Sequence, residues 1–291
     1  MRVTADKYYG LEAELYDVRR EETQRWQIEQ QAVTDFVEHG PVLDIPFGTG
    51  RYVPIYRSKG LEFFGVDLSP DMLEVAQMTH GNVPCSAGSI FDQPCVDGVY
   101  ATAVCTRLLD WLKPSDMVDA IRELRRVART LIVTLRHGEP GVSINYTHDL
   151  DLFYEAIYGL FIADRRTTEI SKHGHEEIFK LRPPCWADVE AQFLWHDGPA
   201  AAEIERITGV RIDANSAKLT AHHWTAEECG TALDDFGGLH SSYENRPAPR
   251  YDGAAVTIVK HDGRCHVPDG MRRLHRWRQT EGRYPVLLIE V

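Results

Sequence analysis

The chain has 291 residues, 43% of them apolar and 26% charged, with a formal net charge of −12. That composition excludes a disordered or fibrous chain, the length is comfortable for two domains, and no apolar run approaches a membrane span or, at Met1–Lys7, a signal peptide. The six cysteines are scattered with no Cys-x-x-Cys pair, which argues against a zinc site or disulfide framework and suits a reducing cytoplasm. In chain order, residues 11–38 read as mostly helical. Leu15, Val18, Trp26, Ile28, Val33, Phe36 and Val37 supply apolar contacts at uneven spacing. Gly40-Pro41 stops that helix.

An apolar strand over 42–45 ends in Asp44 and runs into the tight turn Pro46-Phe47-Gly48-Thr49-Gly50. A helix from Arg51 to Ser58 follows, tolerating Pro54 in its first turn, and Gly60 ends it. A second apolar strand, 62–66, ends in Asp67. Ser69 then caps a helix with Pro70 at its first position and Asp71 in its first turn. Asp44 and Asp67 lie 23 residues apart. That spacing suits a strand–loop–helix–strand unit with both acids at the carboxyl ends of parallel strands, the edge where open α/β sheets bind ligands. Gly48 and Gly50 let the backbone turn and approach a ligand closely. Asp67 is placed to accept hydrogen bonds from the ribose hydroxyls of an adenosine. Val53 stands where the dinucleotide fingerprint needs a third glycine, and the Lys-Ser/Thr of a phosphate loop is absent. An adenosine ligand without a pyrophosphate fits best.

Leu43 to Gly50 and Gly65 to Leu73 resemble the first and second motifs of the class I S-adenosylmethionine-dependent methyltransferases, with Pro46 in place of the usual first glycine. The resemblance implies a Rossmann-like seven-stranded α/β sheet over residues 1–197 and S-adenosyl-L-methionine as cofactor. It implies cofactor contacts from Asp44, Gly48, Gly50, Asp67, Leu68 and Met72. It also makes Leu15 to Arg20 a segment covering the cofactor, in which Tyr16 stacks or hydrogen-bonds and Arg20 meets the methionine carboxylate. A plain surface helix with one buried tyrosine is the other reading. Gly88 to Pro94 corresponds to the adenine-contacting segment. Ser89 stands where many members carry an acid, leaving a hydroxyl and the backbone of Ile90 to do the recognition. Asp92 is a second candidate there, or simply a turn residue.

A short third strand is expected at 82–85 and a fourth at 97–105, apolar on both faces as a central parallel strand should be. By resemblance, Cys105 meets the cofactor and the end of this strand faces the methyl group. Thr106 to Leu112 lacks the Asn/Asp-Pro-Pro-aromatic motif of amino-directed base methyltransferases. Pro94-Cys95 precedes the strand, so no C5-cytosine pair is present either. Methyl transfer needs mainly proximity and alignment, and Arg107 and Asp110 are the polar candidates for a catalytic role. A helix over 115–129 with Ser115 as N-cap turns Met117, Val118, Ile121, Leu124 and Val127 inward. A fifth strand (131–135), a helix near 149–160 and a β-hairpin (166–172, 175–181, turning at His173-Gly174) follow. A short helix from Trp186 to about Leu194 closes this domain, and no metal site is expected.

A second, small α+β domain is expected over 198–291, with helices at 200–208 and 225–235, a loop at 241–250, and strands at 254–260 and 285–289. Residues 260–291 carry a net +3, which leaves −15 for the rest. The acidic bulk argues against broad nucleic-acid binding, while the basic C-terminal helix is either a local nucleic-acid surface or a solvated helix. Asp269-Gly270-Met271-Arg272-Arg273-Leu274 resembles the hallmark turn of the ParB/sulfiredoxin-like fold. Backbone N–H groups at that helix start, with Arg272, Arg273 and nearby His266, suit a phosphate or nucleotide. Met271 replaces the reactive cysteine of sulfiredoxin, so its reductase chemistry does not carry over. The expected function is methyl transfer from S-adenosylmethionine to a small molecule, a nucleotide or a nucleic-acid component. The alternative is a nucleotide- or DNA-binding protein, or a nucleotide-hydrolysing or kinase one, whose methyltransferase-like domain only senses the cofactor.

Overall fold

Strand-forming runs of β-branched and apolar residues alternate with helices through the first half of the chain, and they assemble into one seven-stranded sheet. The computed structural model describes residues 8–19, 23–138, 146–171, 174–193, 198–235, 255–279 and 282–291. The chain divides into two compact units, one of residues 1–156 and 162–182, the other of residues 157–161 and 183–291.

In the first unit the order of strands is β3 (Cys85–Ala87), β2 (Phe63–Asp67), β1 (Val42–Asp44), β4 (Tyr100–Cys105), β5 (Ala128–Gly138), β7 (Gly174–Arg182), β6 (Phe161–Ser171). β1 pairs in parallel with both β2 and β4, so the chain reverses its direction of build there. β5 pairs in parallel with β4 and antiparallel with β7, the first partner in the expected hairpin. The helices are α1 (Leu11–Glu14), α2 (Gln24–Phe36), α3 (Val53–Ser58), α4 (Pro70–His80), α5 (Pro114–Val127) and α6 (Leu150–Ala156). One apolar cluster joins Val33, Phe36 and Val37 to Val42, Tyr56, Val104 and Ile132 across this face. Burying each such side chain contributes about 1.5–3 kcal/mol. On α5, Met117, Ala120, Ile121, Leu124 and Val127 are buried, as the amphipathic pattern requires.

Several boundaries differ from the sequence reading. The first helical stretch is two helices, and only α2 has the side-chain cap (Thr23) and apolar face to persist. α5 starts one residue earlier, with Lys113 at the N-cap and Pro114 at its first position, so Ser115 lies inside the first turn. β3 sits at 85–87 rather than 82–85, where its register with Gly65–Asp67 places it. The expected turn residue His173 lies outside the described residues.

The second unit holds a four-stranded sheet ordered β10 (Arg264–His266), β9 (Val256–His261), β11 (Tyr284–Glu290), β8 (Lys218–Trp224), with β9 and β11 parallel. α9 (Ala226–Asp235) and α10 (Met271–Trp277) cover one face through Cys229, Leu233 and Leu274. α7 (Trp186–Gln192) and α8 (Ala200–Thr208) cover the other through Val189, Phe193 and Ile204. The units part at Arg182/Pro183, and α7 joins the second because Val189 and Phe193 pack in one cluster with Val259 and Ile289. The boundary expected near 197 therefore falls within the second unit, at residues outside the description. So does the loop at 241–250. β8 was not foreseen from the sequence: Lys-Leu-Thr-Ala-His-His-Trp offers little apolar alternation at the sheet edge. Among the described residues, no helix is long and apolar enough to cross a membrane, and no group of three metal-binding side chains forms.

Candidate active site

The carboxyl ends of β1, β2 and β4 open into a cavity of about 360 Å³, within the usual size of small-molecule sites. The turn after β1 forms its floor. Gly48 takes φ 56 there, a left-handed conformation that a residue without a Cβ adopts freely. Its N–H donates to Asp67 Oδ2 at 2.7 Å, and the N–H of Ser69 donates to Asp67 Oδ1 at 2.8 Å. The acid ending β2 is thus oriented from both sides. Burial pushes its pKa up, while the backbone N–H groups of Ser69, Gly48 and Leu68 pull against that. Ser69 caps α4 as expected, accepting from Met72 N–H at 3.3 Å, and its hydroxyl donates to the carbonyl of Tyr8 at 2.7 Å.

Of the residues expected to touch the cofactor, Tyr16, Gly48, Asp67, Leu68, Met72, Ser89 and Ile90 line the cavity, as does the catalytic candidate Arg107. Asp44, Gly50, Cys105 and Asp110 do not. Asp44 ends the central strand and is covered: it is 1% exposed, accepts from the Tyr56 hydroxyl at 3.0 Å, and burial pushes its pKa up to about 8. Gly50 faces His80, Val53 and Phe47 instead of the cavity. Cys105 is fully buried within β4, and burial pushes its thiol up, away from the reactive thiolate. Asp110 is buried in a 3-10 turn (Leu109–Trp111), 3.5 Å from Arg136. Arg20 lies outside the described residues.

Sequence reasoning missed Tyr8, Arg51, Tyr52, Thr106 and Trp111, all of which line the cavity. Tyr8 meets Tyr16 edge-on at 5.5 Å and Trp111 at 6.4 Å, making an aromatic wall. Below it lies a buried ion cluster. The Glu29 carboxylate is 2.8 Å from Arg51 Nη2 and 2.7 Å from Arg107 Nε, with Arg25 Nε at 3.6 Å. Arg25 is bound in turn to Glu176. Burial alone would raise the pKa of Glu29, but attraction to Arg51, Arg107 and Arg25 outweighs it and holds the group well below the usual carboxylate range. Trp26 lies under both cavity arginines, 4.5 Å from the Arg51 and 5.3 Å from the Arg107 guanidinium carbon.

In the second unit, Arg273 bonds to Asp269 at 2.8 Å within the same turn. Gly270 sits at φ 84, where a Cβ would come within 2.7 Å of Val256. The expected anion turn is therefore closed on itself at Arg273, and α10 has only seven residues. His266 is half-buried in β10; the side chain of Arg272 lies outside the description.

Residues 42–130 match the family model described as a methyltransferase domain. The matched span contains β1 to β4 and most of the cavity wall, so the part of the chain that builds the cavity is similar to a methyltransferase domain. An uncharacterized methyltransferase-like protein of Schizosaccharomyces pombe is 32% identical over 89 residues, which are 30% of this chain and 34% of that protein. The chain thus spans about a third of the length of the curated relative it matches. Among solved structures, a chain from the complex between the Haloferax volcanii Trm112 methyltransferase activator and a proposed methyltransferase superposes with TM-score 0.50 at 16% identity, covering 62% of this chain and 98% of that one. The SAM-bound magnesium protoporphyrin IX methyltransferase of Synechocystis PCC 6803 gives TM-score 0.49 at 19% identity, covering 61% and 94%. The first of these two likenesses is one of fold.

Proposed function

We propose that the protein transfers a methyl group from S-adenosylmethionine to a nucleophilic acceptor held in the same cavity. The observation that carries this is Asp67: a carboxylate fixed by Gly48 and Ser69 N–H on the wall of a cavity that also contains Ser89, Ile90 and Arg107. These residues fit the cofactor. Asp67 has lone pairs left for the ribose hydroxyls, Ser89 and the Ile90 backbone serve the adenine, and the Gly48 backbone meets nothing closer than the Met72 methyl at 3.4 Å from a notional Cβ. When bound, the cofactor supplies a methyl group on a cationic sulfur. The chain itself supplies proximity and a dry wall of Tyr8, Tyr16 and Trp111. A guanidinium offers donors and no lone pair for a proton, so Arg107 is no general base and the acceptor must bring its own nucleophilicity.

Calorimetric titration with S-adenosylhomocysteine tests this reading. Micromolar binding by the wild type, weakened at least tenfold in Asp67→Ala, is the expected result. No binding by the wild type would sink it. A second reading takes the acceptor as a nucleotide recognised by a ParB/sulfiredoxin-like second unit. The β9–β10–α10–β11 sequence with the Asp269–Leu274 turn at the helix start favours it, and unchanged nucleotide binding after Arg272→Glu with Arg273→Glu would remove it. The six cysteines, none of them paired, suit the cytoplasm as the place of action.

A further inference from the structure

We infer that the acceptor is an organic acid with an apolar or aromatic body, whose carboxylate is taken by Arg107 and Arg51; this rests on the methyl-transfer reading above. The charge cluster under the cavity does not balance. Arg25, Arg51 and Arg107 meet Glu29 and Glu176, which leaves one positive charge in excess among these side chains. Of the three cations, Arg51 and Arg107 line the cavity. The neighbouring pair Arg136–Asp110 adds no net charge.

The hydrogen bonding is incomplete in the same place. Arg51 Nη1 and Arg107 Nη2 are buried and have no partner among the described residues. A buried donor left unmet is costly, and native proteins leave few of them. Arg51 and Arg107 line the cavity with side chains 9% and 12% exposed; two guanidiniums so placed suit the two oxygens of a carboxylate, and a monoanion matches the single surplus charge. Both arginines are held in place. Glu29 anchors them, Trp26 lies beneath them, and Arg51 also bonds to Tyr52 and, at 3.0 Å, to Thr106 Oγ1.

Arg107 is also one of two non-glycine residues with positive φ among the described residues, at 57°. That conformation is unfavourable for an L-residue. It is held by its N–H donating to Thr134 Oγ1 at 2.7 Å. Strain kept at a cavity wall points to a residue whose direction matters. Around it, Leu108, Trp111, Leu112, Tyr8 and Tyr16 are the wall for the apolar body of the acid.

The experiment uses the full chain saturated with S-adenosylhomocysteine. Titrated against it are hydroxybenzoates, aminobenzoates and indole-3-acetate, each beside its primary amide, with adenosine 5′-monophosphate as a further arm. At least one acid should bind, with its amide at least tenfold weaker. Arg107→Lys, which keeps the charge but loses the fork, should erase the preference for acid over amide. Acids and amides binding alike, adenosine monophosphate binding in preference to every acid, or no acid binding to the loaded protein would each overturn the inference. So would a fourth result: Arg107→Lys and Arg51→Lys weakening S-adenosylhomocysteine but not 5′-methylthioadenosine, since the arginines would then hold the cofactor's own carboxylate. Failure of the wild type to bind S-adenosylhomocysteine at all is a different outcome; it removes the methyl-transfer reading and the inference with it.

Discussion

Gly65, in the middle of β2, does not line the cavity, yet its replacement by alanine should disable it. A Cβ there would sit 2.3 Å from Cγ of Phe47 and 2.5 and 2.6 Å from its Cδ atoms. Ordinary carbon contacts are about 3.5–4.0 Å, so the ring must retreat by roughly 1 Å or more. It has little room to do so. Phe47 is 2% exposed, packs with Val53, Leu73, Ala76 and Val83, and stacks on Phe63. Its N–H is bound to the Val66 carbonyl at 2.8 Å, and the next residue, Gly48, is the one that orients Asp67. Overpacking of this kind costs about 1–3 kcal/mol. In a unit of this size that is roughly 2–4 °C of melting temperature per kcal/mol. Urea denaturation measures the first effect, and titration with S-adenosylhomocysteine should show at least a tenfold loss of affinity beside it. Phe47→Ala, which removes Cγ and both Cδ atoms at the contact, should relieve the clash. The double variant should then be about 0.5–3 kcal/mol more stable than the sum of the single changes predicts. A Gly65→Ala protein of wild-type stability, or strict additivity in the cycle, would refute the reasoning.

The other predictions concern buried charge and the cap that ties down the aromatic wall. Asp44 keeps its proton in the folded state up to about pH 8 but loses it near 3.8 when unfolded. Its contribution to stability is full below the unfolded value and falls by about 1.4 kcal/mol per pH unit as pH rises through that window. Asp44→Asn should remove that fall, so the urea midpoints of variant and wild type should diverge in the variant's favour between pH 5 and 8; parallel profiles would contradict the assignment. Glu29→Gln leaves Arg51 and Arg107 without their shared counter-charge and should cost about 3–5 kcal/mol by urea denaturation, where a loss under 1 kcal/mol would mean that the cluster is not anchored through Glu29. Ser69→Ala removes both the cap on α4 and the bond to the Tyr8 carbonyl. It should cost about 0.5–2 kcal/mol and expose Tyr8 to iodide quenching of tyrosine fluorescence in a Tyr16→Phe background; unchanged quenching would dissociate Tyr8 from that tether.

The difference between Asp44 and Asp67 shows where sequence reading stops. Both acids end apolar strands and both precede turns, so spacing alone gives them the same role. What separates them is the neighbourhood. β1 is flanked by β2 and β4, and Tyr56 from α3 closes over Asp44. The end of β2 stays open to the cavity, and its acid is tied by backbone rather than covered by side chains. The glycine turn, the Ser69 cap and the inward face of α5 were legible because each depends on residues close in sequence. The ion cluster was not. Glu29 and Arg107 are 78 positions apart, and Arg25 and Glu176 are 151 apart. No local pattern marks residues that meet only when α2, the turn after β1, the end of β4 and strand β7 converge. Tyr8 gave no signal beyond being an aromatic residue near the start of the chain.

That convergence also explains why the cavity is polar below and apolar above. The chain reverses its direction of build between β1 and β4, so the segments leaving those strands diverge and a crevice opens between them. Its floor is laced across by hydrogen bonds. Arg51 and Tyr52 from one segment reach Thr106 of the other at 3.0 and 3.1 Å, and Ile45 N–H donates to the Val104 carbonyl at 2.9 Å. Arg51 and Arg107, one from each segment, then share Glu29, so the charge cluster fixes the width of the crevice as well as its potential. A ligand carboxylate taken by the two guanidiniums would therefore meet a frame already built to receive it, with little ordering cost left at the floor. The remaining cost falls on the Tyr8–Tyr16 wall, which is tied to the rest through Ser69 Oγ and through Gly10 N–H to Asp71 at 2.6 Å. Selectivity between acceptors then belongs to the floor, and the rate of entry and release to the wall.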